Sequence, residues 1–169
     1  PKVTLIGSIA TGKAISRGAA EHLKHVSLEL GGKNALVVYP DADLERAIKG
    51  AVAGMCFTWC GQACSSTTRL FVHESVYDRV VQGVLEGVRA YRPGLPTDKA
   101  TTMGAIVSRE QYDKIMHYIE LGKQEGARLA AGGKHPDGAE LANGHFIEPT
   151  VFTDVTMDMR IAREEIFGP

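Results

Sequence analysis

Apolar residues follow two different repeats along this chain, and each repeat predicts a different element. Short apolar runs bounded by glycine, proline or polar residues predict β-strands. These runs are residues 3–6, 26–30, 35–39, 69–72, 146–152 and 163–167. Other segments carry apolar residues at spacings of three and four, as on the buried face of a helix. Because the two kinds of segment alternate, the chain is predicted to have an α/β fold.

The longest helical stripe follows Pro40, and the acids Asp41, Asp43 and Glu45 lie where negative charge favours a helix N-terminus. Three further helices are predicted to begin at serines suited to the N-cap, namely Ser8, Ser75 with Asp78, and Ser108 with Gln111. The predicted buried faces are Leu44, Ala47, Ile48, Ala51, Val52, Met55 and Trp59; Ile15, Ala19 and Leu23; Val80, Val84 and Val88; and Ile115, Tyr118, Ile119 and Gly122. Residues 132–144 are polar and turn-rich, which predicts a surface excursion.

Composition narrows the class of protein. The chain is 44% hydrophobic and 23% charged with a formal net charge of -1, which is typical of a globular protein that does not bind nucleic acid. No apolar run approaches the roughly 18 residues that span a membrane. The three clustered cysteines make a poor disulfide framework, which favours a reducing, cytoplasmic setting. Their C-x3-C-x3-C spacing is not a usual zinc pattern, so no metal site is expected.

The first candidate for chemistry is Cys64, in the segment Gly-Gln-Ala-Cys-Ser-Ser at 61–66. A cysteine in such a loop can expose its sulfur near backbone N–H groups that stabilise a thiolate or an oxyanion. The alternative is core packing, because Cys56, Cys60 and Cys64 recur at helical spacing. Spacing alone favours the core.

A second candidate is Glu29, between Leu28 and Leu30 at the end of a predicted strand. Strand alternation sends its side chain to the face opposite the two leucines. A carboxylate beside the flexible glycines 31 and 32 suits a general base. The alternative is a solvated edge residue, which is the commoner place for a glutamate.

Residues 7–14, Gly-Ser-Ile-Ala-Thr-Gly-Lys-Ala, nearly match a nucleotide-triphosphate loop. Ala14 lacks the hydroxyl that would bind magnesium, so a triphosphate hydrolase is the weaker interpretation. A strand, a Gly-Ser turn and a helix start can still receive a dinucleotide's pyrophosphate on backbone N–H groups.

The last segment, Arg-Glu-Glu-Ile-Phe-Gly-Pro at 163–169, joins two acids to an aromatic residue and a Gly-Pro turn. A carboxylate can bind a ribose diol, and a ring can lie against a flat heterocycle. Composition alone favours solvent-facing acids and a core phenylalanine instead.

Taken in order, these segments resemble the aldehyde dehydrogenase superfamily over essentially the whole chain. The matching pieces are Gly7-Ser8 with Gly12, Glu-Leu-Gly-Gly-Lys at 29–33, Asp-Ala-Asp-Leu at 41–44, Gly-Gln-Ala-Cys at 61–64, Met-Gly at 103–104, Glu-Pro-Thr-Val at 148–151 and Glu-Glu-Ile-Phe-Gly-Pro at 164–169. The resemblance implies a three-layer αβα sandwich with a mostly parallel sheet. It places residues 1–30 in the tail of the dinucleotide-binding domain and 31–169 in an incomplete catalytic domain.

The resemblance also implies roles. Cys64 would be the nucleophile and Glu29 the base that activates water, and NAD or NADP the cofactor. For the cofactor, Gly7 and Ser8 would meet the pyrophosphate and the Leu30 carbonyl the carboxamide. Glu165 would hold the nicotinamide ribose, and Phe167 would pack near the ring.

Two relatives within this resemblance stay open, a coenzyme A-acylating dehydrogenase and a catalytically silent protein. An acid at position 29 favours hydrolysis to a free carboxylic acid. The resemblance implies a small aldehyde as substrate and a homo-oligomeric parent, a dimer or a tetramer. Trp59 could line a substrate channel, as nearby positions do in the family, or it could end the buried stripe of its helix, and both alternatives stay open. The family often has Phe-Thr where this chain has Leu5-Ile6, so a contact through that threonine is in doubt. We expect a fragment, inactive alone because the adenosine site and an oxyanion asparagine lie upstream.

Overall fold

The computed structural model describes all 169 residues. The chain forms two compact units: a β–α–β unit at Pro1–Gly32 and a second unit at Lys33–Pro169. In the first unit, β1 (Lys2–Gly7) and β2 (His25–Leu30) are parallel neighbours with Gly7 opposite Leu30. Helix α1 (Ile9–Ala20) is the crossover that parallel pairing requires. Which family domain each unit represents stays a prediction.

Helix α1 begins and packs as its sequence predicts, but it is shorter. Ser8 is the N-cap and accepts a hydrogen bond from the backbone N–H of Thr11. Gly12 is buried against β2. A Cβ at this position would lie only 2.9 Å from a methyl carbon of Leu30, so the close packing depends on glycine. The prediction for Leu23 is wrong: it follows the helix, has φ of 49°, and is 92% exposed.

The second unit contains two strand pairs and four helices. Its helices and strands are β3 (Ala35–Val38), α2 (Leu44–Gly54), β4 (Arg69–Val72), α3 (Tyr77–Val88), α4 (Arg109–Gln124), β5 (Arg128–Ala131), β6 (Val151–Thr153) and α5 (Arg160–Arg163). Strands β3 and β4 are parallel, and β5 and β6 are antiparallel. The α/β class is therefore confirmed, with parallel pairing in two of the three strand pairs.

One hydrophobic core lies under helices α2, α3 and α4. Its fully buried side chains include Val38, Phe57, Val80, Met103, Ile115 and Ile147. The predicted inward faces of α3 and α4 are confirmed at Val80, Val84, Val88, Ile115, Ile119 and Gly122, while Tyr118 is only partly buried. No helix is both long enough and apolar enough to cross a membrane.

Helix α2 ends earlier than its apolar stripe predicts. Asp43 is the N-cap, as the acid pattern indicates, but the helix stops at Gly54 and a 3-10 turn follows at Phe57–Trp59. Trp59 is 67% exposed, so its placement at the end of a buried stripe is wrong. The capping box at Ser75 is also wrong. That serine lies in a 3-10 turn, Glu74–Val76, and α3 has no side-chain cap.

Two predicted strands differ from the structure. Of the predicted strand at 146–152, only residues 151 and 152 lie in a strand, β6, while Phe146 and Ile147 are buried outside any strand. The partner strand β5 lies just before the predicted excursion and was not predicted. Residues 163–167 are not a strand either. Residue 163 is the last of the short helix α5, and the Glu125 carboxylate accepts from the backbone N–H of Arg160 at the start of that helix.

Candidate active site

Cys64 lies in a tight turn that follows α2 and precedes β4. The backbone N–H of Ser66 donates to the Ala63 carbonyl across 3.1 Å and closes the turn. Within it, Cys64 is exposed, whereas Ser66 is 2% exposed. The Ser66 hydroxyl lies within donating distance of the carbonyls of Met55 and Gly61, at 3.2 and 3.4 Å. The turn is therefore anchored from beneath while the thiol faces outward.

A side-chain amide holds the same turn from the other side. Asn34 Nδ2 donates to the carbonyl of Cys64 at 2.6 Å and to that of Ser66 at 3.2 Å. The amide nitrogen thus contacts two carbonyl oxygens, and neither bond involves the Cys64 sulfur. No sequence pattern predicts this contact, and Asn34 is notable in the sequence only as a polar residue directly after Lys33.

The other two cysteines have different surroundings. Cys60 is buried and its thiol donates to the Gly104 carbonyl at 3.3 Å. Burial raises the pKa of that thiol, partly offset by the backbone hydrogen bond. Cys56 is partly buried near the Gly54 carbonyl. The helical spacing of the three is broken by positive φ at Cys56 and Cys60, so core packing applies to Cys60 and is wrong for Cys64.

The turn before Cys64 also contacts the last residues of the chain. Gly61 has φ of 62°, which suits glycine, and a Cβ there would overlap the Gly168 carbonyl. The residues around Gly168 are held in turn by Gln111, whose Nε2 donates to the carbonyls of Ile166 at 2.9 Å and Phe167 at 2.8 Å. The sequence predicted only that Gln111 would pair with the N-cap Ser108. Its backbone N–H does donate to the Ser108 hydroxyl, but the role of its side chain was not predicted.

The adjacent acids of this last segment have different environments. Glu164 accepts from Tyr118 at 2.6 Å and forms two hydrogen bonds with Arg160. The bonds from Arg160 and Tyr118 lower the pKa of Glu164 to about 2. Glu165 is partly buried and acts electrostatically on Lys33. Glu164 is thus engaged in structural hydrogen bonds on the side of Tyr118 and Arg160.

Lys33 is a cation in an unfavourable position for charge. Burial and the neighbouring Arg69 guanidinium lower the pKa of Lys33 to about 8, and Glu165 opposes the shift. Arg69 also donates to the Lys33 carbonyl through Nη2. Lys33, Arg69 and the end of the chain line one apolar cavity of about 290 Å³ inside this unit.

The remaining candidates lie in the β–α–β unit. Glu29 is exposed on β2, and Leu28 and Leu30 are partly buried, as strand alternation predicts. Gly7 and Ser8 form the turn between β1 and α1, where first-turn N–H groups and the helix dipole suit a phosphate. Leu30 ends β2 beside Gly7. A strand, a turn and a helix start in this order can receive a phosphate group on backbone N–H groups.

These observations define an α/β protein with one exposed cysteine in a fixed turn. Comparison with family models then identifies the family. Residues 1–169 match the model of the aldehyde dehydrogenase family, and the chain belongs to that family. The resemblance drawn from the motifs is confirmed, and a triphosphate hydrolase is set aside.

Relatives of this chain include named enzymes from fungi and bacteria. An aldehyde dehydrogenase, tropH, of Talaromyces stipitatus is 52% identical over 172 residues, which is 99% of this chain and 33% of the relative. A betaine aldehyde dehydrogenase of Brucella anthropi is 55% identical over 168 residues, 99% of this chain and 34% of the relative. The chain thus spans about a third of the length of these relatives.

Solved structures agree with this assignment. A betaine aldehyde dehydrogenase of Staphylococcus aureus in complex with NAD+ superposes with a TM-score of 0.94 at 41% identity, covering 99% of this chain and 33% of that one. An NAD+ complex of an aldehyde dehydrogenase from Bacillus cereus has a TM-score of 0.93 at 48% identity, with the same coverage. The α/β fold is therefore the one this family uses.

Proposed function

We propose that the complete protein oxidises a small aldehyde to a carboxylic acid with NAD+ or NADP+, using Cys64 as nucleophile. The observation that carries the proposal is the contrast among the three cysteines: only Cys64 is exposed, and its turn is held by bonds that leave the sulfur free. A thiol held this way can attack an electrophilic carbon. The NAD+ complexes of the relatives support the cofactor.

Cys64 acts first in the proposed sequence. Its thiolate forms a C–S bond with the aldehyde carbon, and the carbonyl oxygen gains a proton to give a thiohemiacetal. The backbone N–H of Cys64 donates to no other backbone group, so it is available to the developing oxyanion. The thiohemiacetal carbon then loses a hydride, for which NAD+ or NADP+ would be the acceptor when bound, and its hydroxyl oxygen loses a proton to solvent, which leaves a thioester.

Glu29 acts in the second half of the reaction. Its carboxylate takes a proton from water, whose oxygen attacks the thioester carbon. The C–S bond breaks, the carboxylic acid leaves, and the thiol is regenerated. The exposure of Glu29 at the end of β2 supports this role because water reaches it. A coenzyme A-acylating enzyme would not need a base at this position.

The cofactor residues follow from the same proposal. Gly7 and Ser8 at the start of α1 would bind the pyrophosphate, and the Leu30 carbonyl would orient the carboxamide. Glu165 would bind the nicotinamide ribose, and Phe167, which has φ of 60°, would pack near the ring.

The test uses the complete protein with Cys64→Ala and, as matched control, Cys56→Ala. We expect Cys64→Ala to abolish aldehyde-dependent NADH formation and Cys56→Ala to retain it. In the wild type, Cys64 should alkylate faster than Cys56 and Cys60 near neutral pH. Equal, slow labelling of all three would support a catalytically silent protein and contradict the proposal.

Product analysis separates hydrolysis from acyl transfer. With a panel of aldehydes that includes betaine aldehyde, named for two of the relatives above, we expect free acid whether or not coenzyme A is present. Formation of acyl-coenzyme A with no free acid would refute the role of Glu29.

We further propose that the complete protein is a dimer or tetramer, and that the 169 residues alone turn over little aldehyde. A normal rate from the isolated chain would contradict the last point.

A further inference from the structure

We propose that Asn34 is a positioning residue that fixes the backbone of Cys64 for attack; this inference rests on the proposed role of Cys64 as nucleophile. Asn34 contacts neither the sulfur nor the aldehyde in this proposal. It acts through the two carbonyls that flank residue 65, those of Cys64 and Ser66. Fixing both carbonyls fixes the curvature of the turn that carries the thiol.

Asn34 is suited to this role because it is attached to the sheet. It immediately precedes β3, which pairs with β4 in the register Ala35 to Arg69. The backbone carbonyl of Asn34 also accepts from the backbone N–H of Arg69 at 3.1 Å. The amide therefore extends from a segment whose position is set by strand pairing, and it transmits that position to the turn.

The chemistry of the contact requires an amide nitrogen. Both partners are carbonyl oxygens, which only accept, so the group facing them must supply two N–H donors. Aspartate has nearly the same shape but presents a carboxylate oxygen to two carbonyls, which replaces attraction with repulsion. Serine supplies at most one donor, and alanine supplies none.

The arrangement separates holding from reacting. Asn34 and the Ser66 hydroxyl constrain the turn through backbone carbonyls, so the Cys64 thiol needs no hydrogen bond of its own to be placed. Misplacing a reacting group by about 1 Å can lower a rate roughly 100-fold. Loss of the amide should therefore lower kcat and thiol reactivity more than it changes substrate or cofactor binding.

The test compares Asn34→Asp, Asn34→Ser and Asn34→Ala in the complete protein with Gln82→Ala. Gln82 is an exposed amide that bonds only Glu86 on its own helix. We expect Asn34→Asp to reduce kcat and the alkylation rate of Cys64 by about 10- to 100-fold, with the KM for NAD+ changed less than about threefold. Asn34→Ser, with one donor left, should lie between the wild type and Asn34→Ala. Gln82→Ala should match the wild type.

Thermal unfolding of each variant separates positioning from folding. A folded Asn34→Asp with wild-type kcat and Cys64 reactivity would overturn the inference. If Asn34→Asp does not fold, the ranking of Asn34→Ser above Asn34→Ala in kcat decides, and equal kcat values in those two variants would overturn it. Cys64→Ala distinguishes the two proposals: activity retained in Cys64→Ala refutes the nucleophile itself, whereas an inactive Cys64→Ala beside a normal Asn34→Asp refutes only the role of Asn34.

Discussion

Gln111 Nε2 lies 2.8 Å from the carbonyl oxygen of Phe167, a residue 56 positions later in the chain. The same nitrogen donates to the Ile166 carbonyl, so one side chain on α4 holds two consecutive backbone carbonyls. Phe167 has φ of 60°, an uncommon conformation for a residue with a side chain. Such a conformation persists when its surroundings over-determine it, and Gln111 supplies part of that constraint.

Replacing Gln111 should therefore affect cofactor binding through the last segment. We expect Gln111→Leu in the complete protein to raise the KM for NAD+ by about 5- to 50-fold, corresponding to roughly 1–2 kcal/mol of lost constraint. The alkylation rate of Cys64 without cofactor should stay within about twofold, because that turn has its own anchors. Steady-state kinetics and thiol labelling check the two halves.

The matched control is Gln124→Ala, which removes an exposed amide from the end of the same helix. It should leave both quantities unchanged. An unaltered KM for NAD+ in a folded Gln111→Leu would show that residues 166 and 167 keep their conformation without the amide.

Lys33 provides a prediction about pH. Burial and Arg69 lower its pKa from 10.5 to about 8. Between those values the unfolded chain binds more protons at this lysine than the folded chain does, so the free energy of unfolding should rise with pH across the interval. The full shift corresponds to no more than about 3 kcal/mol. In Lys33→Met this pH-dependent increment should be absent, with denaturant unfolding from pH 7.5 to 10 as the measurement.

A direct titration offers a second check on the same lysine. After ¹³C reductive methylation, the Lys33 resonance should titrate near pH 8. Lys49 is an exposed lysine on α2. Lys49→Met is the control for stability and should not change the pH dependence. Titration of Lys33 near pH 10 would contradict its burial in the folded protein.

The sequence predicts the fold well where a local rule, such as helical spacing or N-capping, decides the structure by itself. The valines of α3 lie inward because spacings of four place them on one face, and Ser108 caps α4 because its hydroxyl accepts from the backbone N–H of Gln111. The end of α2 at Gly54 could not be predicted from the sequence. The Thr67 side chain lies where a Cβ at position 54 would be, and that contact comes from 13 positions away.

The site was readable only as a set of motifs. Cys64 and Cys60 follow the same spacing, and nothing in the sequence states that one faces solvent and the other the Gly104 carbonyl. The contributions of Asn34 and Gln111 depend on contacts 30 and 55 or more residues away. Single-sequence patterns describe neighbours along a strand or helix, so they do not reach such pairs.

The adjacent acids Glu164 and Glu165 should give different defects when each is changed to glutamine. Glu164→Gln should reduce stability near neutral pH. Glutamate 164 has a folded pKa of about 2 against an ordinary value of 4.5, so its contribution is complete above pH 4.5 and is lost as pH falls toward 2. Denaturant unfolding should therefore show the gap between wild type and Glu164→Gln narrowing from pH 6 to pH 3.

Glu165→Gln should instead raise the KM for NAD+, if Glu165 binds the ribose, whereas Glu164→Gln should leave that KM unchanged. Glu120→Gln removes an exposed partner of Lys123 and is the control for both measurements. The opposite result, with a raised KM for NAD+ in Glu164→Gln and a normal KM in Glu165→Gln, would show that Glu165 is not the acid that binds the ribose.

Two glycines predict opposite effects of the same substitution. Gly61→Ala places a Cβ against the Gly168 carbonyl at a positive φ, so it should destabilise the protein by about 1–3 kcal/mol. It should also lower the alkylation rate of Cys64, since residue 61 begins the turn that leads to the thiol. Gly50 lies within α2 with nothing within 4 Å of a Cβ, so Gly50→Ala should stabilise by about 0.5–1 kcal/mol. Urea unfolding of the two variants measures both signs, and a Gly61→Ala protein as stable as Gly50→Ala would show that the last segment does not approach residue 61 this closely.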